Sequence, residues 1–199
     1  LYNDGKIPNI PVFVDSPMAV SATDIFKRHP ECYDIETVRD FLDRDDLPFT
    51  FPTLKYITDV EDSKRLNGMR MPCVIVSASG MCEGGRVLHH LLNGVGDSRN
   101  TILIVGFMAE NTLGRALADK KPEVRIFGDT YWVKARVKIM NAFSAHADRV
   151  ELGQWIKAAD LSRLKGVFLV HGEPKAQDQL KADLLGLGIR RVEALEMAK

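Results

Sequence analysis

Two of the five histidines in the chain, His146 and His171, stand in short motifs that could do acid–base or metal chemistry. His146 lies in NAFSAHAD, residues 141–148, and His171 lies in VHGE, residues 170–173. An imidazole can move a proton near neutral pH, and a neutral ring nitrogen can bind zinc. Whether the two side chains can act together depends on the elements that carry them.

The elements around the two histidines are predicted to bring them to one edge of a sheet. Asp148 is a good helix N-cap, and Glu151 completes a capping box. Residues 166–170, GVFLV, are typical of a buried strand. Because a helix runs antiparallel to the parallel strand that follows it, we expect His146 and His171 to face the carboxyl edge of the sheet, where open α/β sheets bind ligands. The helical spacing after the cap is carried by Val150, Leu152, Trp155 and Ile156.

A second candidate site follows the predicted strand CVIVS, in the run ASGMCEGGRVLHHLL. Ser79 and Gly80 form a loop of small residues, and a helix is predicted to begin near Arg86. A strand, a flexible loop and a helix N-terminus together favour an anion, so Ser79, Gly80 and Arg86 are candidate phosphate-binding residues. The motif matches neither the P-loop nor the dinucleotide fingerprint, and an ordinary strand–helix turn is the alternative.

Three polar residues nearby are open to a structural interpretation. Asp15 ends the predicted strand of PVFVDS, and capping of the turn after it is preferred over a functional role. His89 and His90 are adjacent on the predicted helix and point about 100° apart, so they cannot both line one site. One is expected to pack and the other to be solvated.

The whole pattern is one of repeated strand–helix units with one hairpin, which indicates an α/β fold that is mostly parallel. Residues 124–140 alternate and turn at Gly128, so they are predicted to form the β-hairpin. Its second strand would place Lys134, Arg136 and Lys138 on one face. That face is either simply solvated or a basic strip beside a phosphate site.

The bulk composition excludes several classes of protein. The chain has 199 residues and a formal net charge of zero, so any nucleic-acid surface must be a local patch. Three cysteines without CxxC spacing argue against a disulfide framework or a zinc ribbon and favour a cytoplasmic protein. There is neither a long apolar run nor a signal-peptide pattern, so no membrane association is expected. A first residue other than Met suggests an excised piece of something longer.

Six motifs, taken in order, resemble one known family. They are VDSPMA, SGMCEGGRVLHHL, GDSRNTILIVGF, NTLGR, FSAHAD and LVHGE. The chain resembles the β-CASP branch of the metallo-β-lactamase superfamily, which contains RNA-processing nucleases. By this resemblance residues 1–142 are most of a β-CASP cap domain, incomplete at its N-terminus. Residues 143–199 are the C-terminal αβ part of the metallo-β-lactamase domain.

The resemblance also implies roles for individual residues. In the family the histidine that matches His146 lies beside the scissile phosphate as a proton donor or phosphate contact. The hydroxyl of Ser144 suits a phosphate oxygen. The histidine that matches His171 is a zinc ligand, and the intact family members hold two zinc ions. We therefore expect His146 as catalytic residue, His171 as metal ligand, and Ser144, Ser79, Gly80 and Arg86 as phosphate-binding residues.

The chain departs from the family in its metal ligands. The motif His-x-His-x-Asp-His is absent from the sequence. A catalytic zinc needs three protein ligands and an open position, and of the family's ligands only His171 is present. We therefore predict that this chain is a fragment of a zinc-dependent ribonuclease and that the fragment does not hydrolyse RNA by itself.

Two other functions stay open at this point: a non-catalytic RNA-binding or scaffold paralogue of the family, and an unrelated α/β enzyme with a phosphate ligand. The expected partners are single-stranded RNA, with DNA left open, and the missing N-terminal half of the metallo-β-lactamase domain. Homo-oligomerisation is left open as well.

Overall fold

The computed structural model describes residue 2 and residues 4–42, 48–143 and 146–195. The chain divides into two compact units, Leu1–Ser144 and Ala145–Lys199. Both combine helices with mainly parallel strands, which confirms the α/β prediction. Within the described residues, no helix is long and apolar enough to cross a membrane.

The described part of the first unit contains seven strands and five α-helices. The strands are β1 Val12–Asp15, β2 Leu54–Tyr56, β3 Val74–Ser77, β4 Thr101–Ile104, β5 Glu123–Ile126, β6 Asp129–Trp132 and β7 Arg136–Ile139. The helices are α1 Pro17–Arg28, α2 Ile35–Asp40, α3 Val60–Leu66, α4 Val87–Gly94 and α5 Leu113–Ala118, and a short 3-10 helix covers Pro30–Cys32.

A three-stranded parallel sheet, in the order β2-β1-β3, places the functional loops of the first unit. Val12 pairs with Leu54 on one side and with Val74 on the other. All three strands therefore end at the same edge of the sheet. The chain leaves that edge after Asp15 into α1 and after Ser77 into the loop that precedes α4.

The rest of the first unit packs around a second parallel pair, β4 and β7, and a hairpin, β5 and β6. The core beneath them is apolar, and Leu117 and Ile126 have almost no exposed surface. Its buried members are Cys82, Leu91, Val95, Ile104, Met108, Leu117, Val124 and Ile126. Cys82 belongs to the loop after β3, so the loop and the core share their packing.

The predicted hairpin over residues 124–140 was too long. The observed hairpin ends at Trp132, and β7 is a separate strand that pairs in parallel with β4. The chain leaves the hairpin because the amides of Lys134 and Ala135 both donate to the carbonyl of Val95, at 2.9 and 3.0 Å. The alternation of burial continues through this break, and for that reason the pattern concealed it. Lys134, Arg136 and Lys138 are all exposed, but only Arg136 and Lys138 belong to a strand.

The second unit is built from α6 Arg149–Lys157, β8 Val167–Leu169, α7 Pro174–Gly186 and β9 Val192–Ala194. The strands β8 and β9 are parallel, and Leu184, Ile189 and Val192 form the buried core. The predicted capping box of α6 is confirmed. The carboxylate of Asp148 accepts from the amides of Val150 and Glu151, and the Glu151 carboxylate accepts from the amide of Asp148.

Two glycines let the chain approach itself closely around the loop of residues 78–85. Gly85 has a φ of 80°, and a Cβ there would lie 2.6 Å from the carbonyl oxygen of Ala78. Gly114, on α5, faces the same loop, and a Cβ there would lie 2.9 Å from the carbonyl oxygen of Met81. A Cβ at Gly114 would also lie 2.3 Å from Met108 Sδ. Because the loop backbone is an obstacle at both positions, a side chain at either one would displace the loop.

We expect Gly85→Ala to destabilise the protein and its neighbour Gly84→Ala to be nearly neutral. The first change adds left-handed strain and overpacking of about 2–4 kcal/mol. At Gly84 a Cβ would meet nothing within 4 Å, and its φ lies outside the left-handed region. Urea unfolding of the two variants, followed by near-ultraviolet circular dichroism, measures the difference. Equal midpoints for the two variants would contradict this account of the loop.

The N-terminus of α6 gives a second stability prediction. Asp148→Ala removes the cap and should raise the exchange rates of the first α6 amides, at a cost of about 1 kcal/mol. Asp148→Asn is the matched control, because asparagine caps about as well as aspartate. Hydrogen exchange measured by NMR reports the local effect. Indistinguishable exchange in the alanine and asparagine variants would show that the cap does not stabilise this helix.

Candidate functional site

A buried carboxylate, that of Asp15, lies at the end of β1 and is 0 % exposed. Its preferred interpretation as a cap was wrong, because Ser16 caps α1 by accepting from the amide of Ala19 at 3.3 Å. Asp15 instead accepts three side-chain hydrogen bonds of 2.6 Å each. They come from Ser63 Oγ, Arg86 Nη1 and His90 Nε2.

Two helices, α3 and α4, carry the residues around this carboxylate, and on each helix two of these residues are four positions apart. Ser63 lies on α3, and Asn67 is the C-cap of the same helix. His90 lies on α4, four residues after Arg86, and its Nδ1 is 2.7 Å from Asn67 Oδ1. His89 points elsewhere, is exposed, and stacks at a tilt on Phe127. The predicted divergence of the two adjacent histidines is therefore confirmed.

Arg86 lies where the sequence predicted it, at the N-cap position of α4. Its guanidinium is committed to the protein, because Nη1 also donates to the carbonyl of Ile57 at 3.1 Å and Nη2 donates to that of Thr58 at 2.7 Å. The side chain is 16 % exposed. Its charge is therefore largely neutralised by Asp15.

The carboxylate of Asp15 is held ionised by its partners. Burial raises the pKa of Asp15. The hydrogen bonds from Ser63, His90 and Arg86, together with the charge of Arg86, lower it by more than burial raises it, so the pKa lies below its ordinary value. Breaking a buried ion pair by removing one partner typically costs about 3–5 kcal/mol, because the other charge is left uncompensated. The cluster therefore holds β1, α3 and α4 in one arrangement.

The loop of residues 78–85 turns back on itself through Ser79. The Ser79 hydroxyl accepts from the amides of Glu83 and Gly84 at 3.3 Å and donates to the carbonyl of Gly84 at 3.2 Å. The loop also docks on α5, since Glu83 Oε1 accepts from the amide of Leu113 at 2.6 Å. The Ser79 hydroxyl is thus occupied by the loop itself and has little capacity left for a ligand.

Two backbone amides on the outer side of this loop, those of Gly80 and Met81, are in exposed residues. Among the hydrogen bonds of the described residues, neither amide has an acceptor. Adjacent free N–H groups beside a helix N-terminus favour an anion. The loop can therefore bind an anion through its backbone amides more readily than through its side chains.

Both motif histidines, His146 and His171, belong to the second unit. His146 is exposed and lies two residues before the α6 cap. His171 follows β8 after one residue and adopts a φ of 66°, and Gly172 adopts 104°. Gln177 Nε2 donates to the carbonyl of His171 at 2.9 Å and fixes this turn. Ser144 lies outside the described residues.

The described residues do not form a complete metal site. Over residues 4–42, 48–143 and 146–195, no group of three or more His, Cys, Asp or Glu side chains could hold a metal ion. A zinc site needs at least three such ligands. His171 alone therefore does not fit a bound zinc.

Sequence reasoning missed Ser63, Asn67 and His90 as members of the Asp15 cluster. The available signal was the pair of spacings Ser63–Asn67 and Arg86–His90. Residues four apart share a helix face, and polar pairs on two helices that flank a strand ending in aspartate suggest a common partner.

Two family models match the chain in succession. Residues 1–117 match the Beta-Casp domain, and residues 130–193 match the domain described as the Zn-dependent metallo-hydrolase RNA specificity domain. The first match includes the Asp15 cluster and the loop. The second includes His146 and His171.

Several curated proteins are similar over most of this chain. Ribonuclease TTHA0252 of Thermus thermophilus is 36% identical over 174 residues, which are 87% of this chain and 39% of the relative. The transcription termination factor FttA of Methanosarcina mazei is 30% identical over 86% of this chain and 28% of its own length. An RNase J-like protein of Methanocaldococcus jannaschii is 28% identical over 85% of this chain and 37% of its own length.

The chain therefore spans about a quarter to two-fifths of the length of these relatives. The Beta-Casp match alone extends over more than half of the chain, and the metallo-hydrolase match follows it directly in sequence order. This protein belongs to the β-CASP family of metallo-β-lactamase nucleases.

Proposed function

We propose that this chain is the C-terminal portion of a zinc-dependent ribonuclease that hydrolyses the phosphodiester bonds of single-stranded RNA. Residues 1–142 serve as its β-CASP domain and residues 143–199 as the last part of its metallo-β-lactamase domain. The N-terminal half of that domain supplies the remaining metal ligands. Two relatives are named as a ribonuclease and a transcription termination factor, and these names support RNA as the substrate class.

The observation that carries this proposal is the backbone of His171. A non-glycine residue with a φ of 66° is uncommon, and residues held in sparsely populated conformations cluster at functional sites. A histidine here costs stability that a glycine would not. The strain is explained if the imidazole must leave the end of β8 in one fixed direction, as a metal ligand does.

His146, in the second unit, and the loop, in the first, each offer groups that can contact RNA. His146 donates a proton to the leaving oxygen or contacts the scissile phosphate, and the Ser144 hydroxyl contacts a phosphate oxygen. In the loop, the amides of Gly80 and Met81 bind phosphate, while Ser79 shapes the loop and Arg86 anchors its end. These contacts address the backbone of RNA and not its bases.

Zinc, when bound, supplies a polarised water and a charged clamp on the phosphate. The two ions expected in the intact enzyme need more ligands than the described residues provide. His171 is one ligand, and three are required. No hydrolytic step is therefore assigned to this chain alone, and we expect it to bind RNA without cutting it.

A non-catalytic scaffold of the same family is the competing function. A scaffold needs neither a metal ligand nor a proton donor, so the presence of both His146 and His171 favours the nuclease. Membership of the family removes the third alternative, an unrelated enzyme with a phosphate ligand.

Binding to single-stranded RNA is the first expected outcome. An oligonucleotide of about 12 nucleotides, within the usual range of site sizes, should bind weakly. The logarithm of the affinity should fall with the logarithm of salt concentration by about 0.7 per phosphate contacted. Fluorescence anisotropy of a labelled RNA measures this. Tight, salt-insensitive binding of AMP, with no binding of the RNA, would contradict the proposal.

A low zinc content is the second expected outcome of the proposed function. Protein purified without added metal should contain well below one zinc per chain, because His171 lacks partner ligands among the described residues. Mass spectrometry of the metal content measures this. The control is His171→Asn, since asparagine tolerates a left-handed backbone and should keep the fold. A full equivalent of zinc in the wild type that is lost in this variant would reveal a complete ligand set and overturn the expected inactivity.

A further inference from the structure

One residue, Asp15, is bonded to both ends of the loop of residues 78–85. At the start of the loop, the hydroxyl of Ser77 donates to the backbone carbonyl of Asp15 at 3.0 Å. At its end, Arg86 Nη1 donates to Asp15 Oδ1 at 2.6 Å. The position of the loop is thus set at two points by a single residue of β1.

Asp15 cannot itself contact a ligand. It is 0 % exposed, and its second carboxylate oxygen is occupied by Ser63 and His90. Arg86 is bound to the carbonyls of Ile57 and Thr58 as well. Any influence of Asp15 on a ligand must therefore pass through Arg86 and the loop.

Besides these two anchors, the loop has internal hydrogen bonds and contacts with α4, α5 and the core. Its internal hydrogen bonds join Ser79 to Glu83 and Gly84, so they shape the loop but do not attach it to the sheet. The attachments outside Asp15 are to α5 through Glu83 and the carbonyl of Met81, to the start of α4 through the carbonyl of Ala78, and to the core through Cys82. The exposed amides of Gly80 and Met81 lie between these fixed points.

We propose that Asp15 is a positioning residue for phosphate binding, which fixes the direction of the Gly80 and Met81 amides by anchoring both ends of their loop. This inference rests on the proposed binding of RNA by the same loop. It adds a residue that acts on RNA affinity without touching RNA.

Positioning and simple electrostatics predict opposite results for Asp15→Asn. The change removes a negative charge that neutralises Arg86, so electrostatics alone predicts tighter binding of RNA. The amide keeps the shape of the carboxylate, but its nitrogen presents hydrogens to donors that need an acceptor. The anchor at Arg86 is therefore weakened, and positioning predicts weaker binding.

We expect Asp15→Asn to weaken binding of single-stranded RNA roughly three- to tenfold and to reduce the salt slope by about 0.7, as the loss of one phosphate contact would do. Both values come from fluorescence anisotropy at several salt concentrations, at a temperature where the variant is folded. Binding that is unchanged or tighter overturns the proposal.

Ile126→Ala is the control for a merely structural effect. Ile126 is 1 % exposed in the core of the same unit and lies on β5, outside the loop and the helices that anchor it, so its truncation destabilises the unit without altering the Asp15 anchors. Its RNA affinity and salt slope should match those of the wild type. If this variant loses affinity as Asp15→Asn does, the effect is one of stability and the positioning role fails.

Ser77→Ala is a milder variant that remains informative if Asp15→Asn does not fold. It removes only the hydrogen bond to the Asp15 carbonyl and should accelerate hydrogen exchange at the amides of Cys82 and Gly84, with a smaller loss of RNA affinity. Exchange is measured without RNA. If the wild type binds no RNA, the proposed function fails, and exchange alone then decides the positioning role. Unchanged exchange in the variants that fold overturns it.

Discussion

The structure of the first unit depends on the burial of one negative charge. A carboxylate without solvent contact is tolerated only when donors surround it, and Asp15 has three of them, on α3, at the start of α4 and within α4. The buried charge needs the donors, and the donors in turn fix the helices that carry them. Because each donor approaches the carboxylate from a different side, the hydrogen bonds hold both helices against the end of β1.

The same constraint explains why Arg86 is an arginine. Its fork reaches Asp15 and two backbone carbonyls at once, which the single ammonium group of a lysine could not do with the same geometry. The positive charge of Arg86, which was predicted from the sequence to bind a phosphate, therefore pairs with Asp15 inside the protein. What reaches the surface is the backbone of the loop that Arg86 closes.

The elements of the fold could be predicted from local patterns, and the contacts of the site could not. Asp148 and Glu151 form their capping box because the interaction is local, three residues apart, and the sequence alone specifies it. The Asp15 cluster joins residues separated by 48, 71 and 75 positions, and no local pattern links them. The end of the hairpin was missed for the same reason, since the carbonyl of Val95 decides it. His146 and His171 were singled out by their motifs, whereas the strained backbone of His171 became visible only in the structure.

A loop that offers backbone amides to a phosphate can bind RNA without regard to its sequence. Side chains that read bases make bidentate contacts to base edges, and the candidate groups here are amides, a hydroxyl used within the loop and an arginine neutralised by Asp15. Such a surface would orient a strand without selecting a base sequence. The hydrogen-bonding group of a backbone amide is not altered by substituting its side chain. The direction in which the amide points is therefore the property that determines its contact with a phosphate. Under the proposed positioning role, that direction is set by the anchors of the loop, and Asp15 holds both anchors through its carboxylate and its carbonyl.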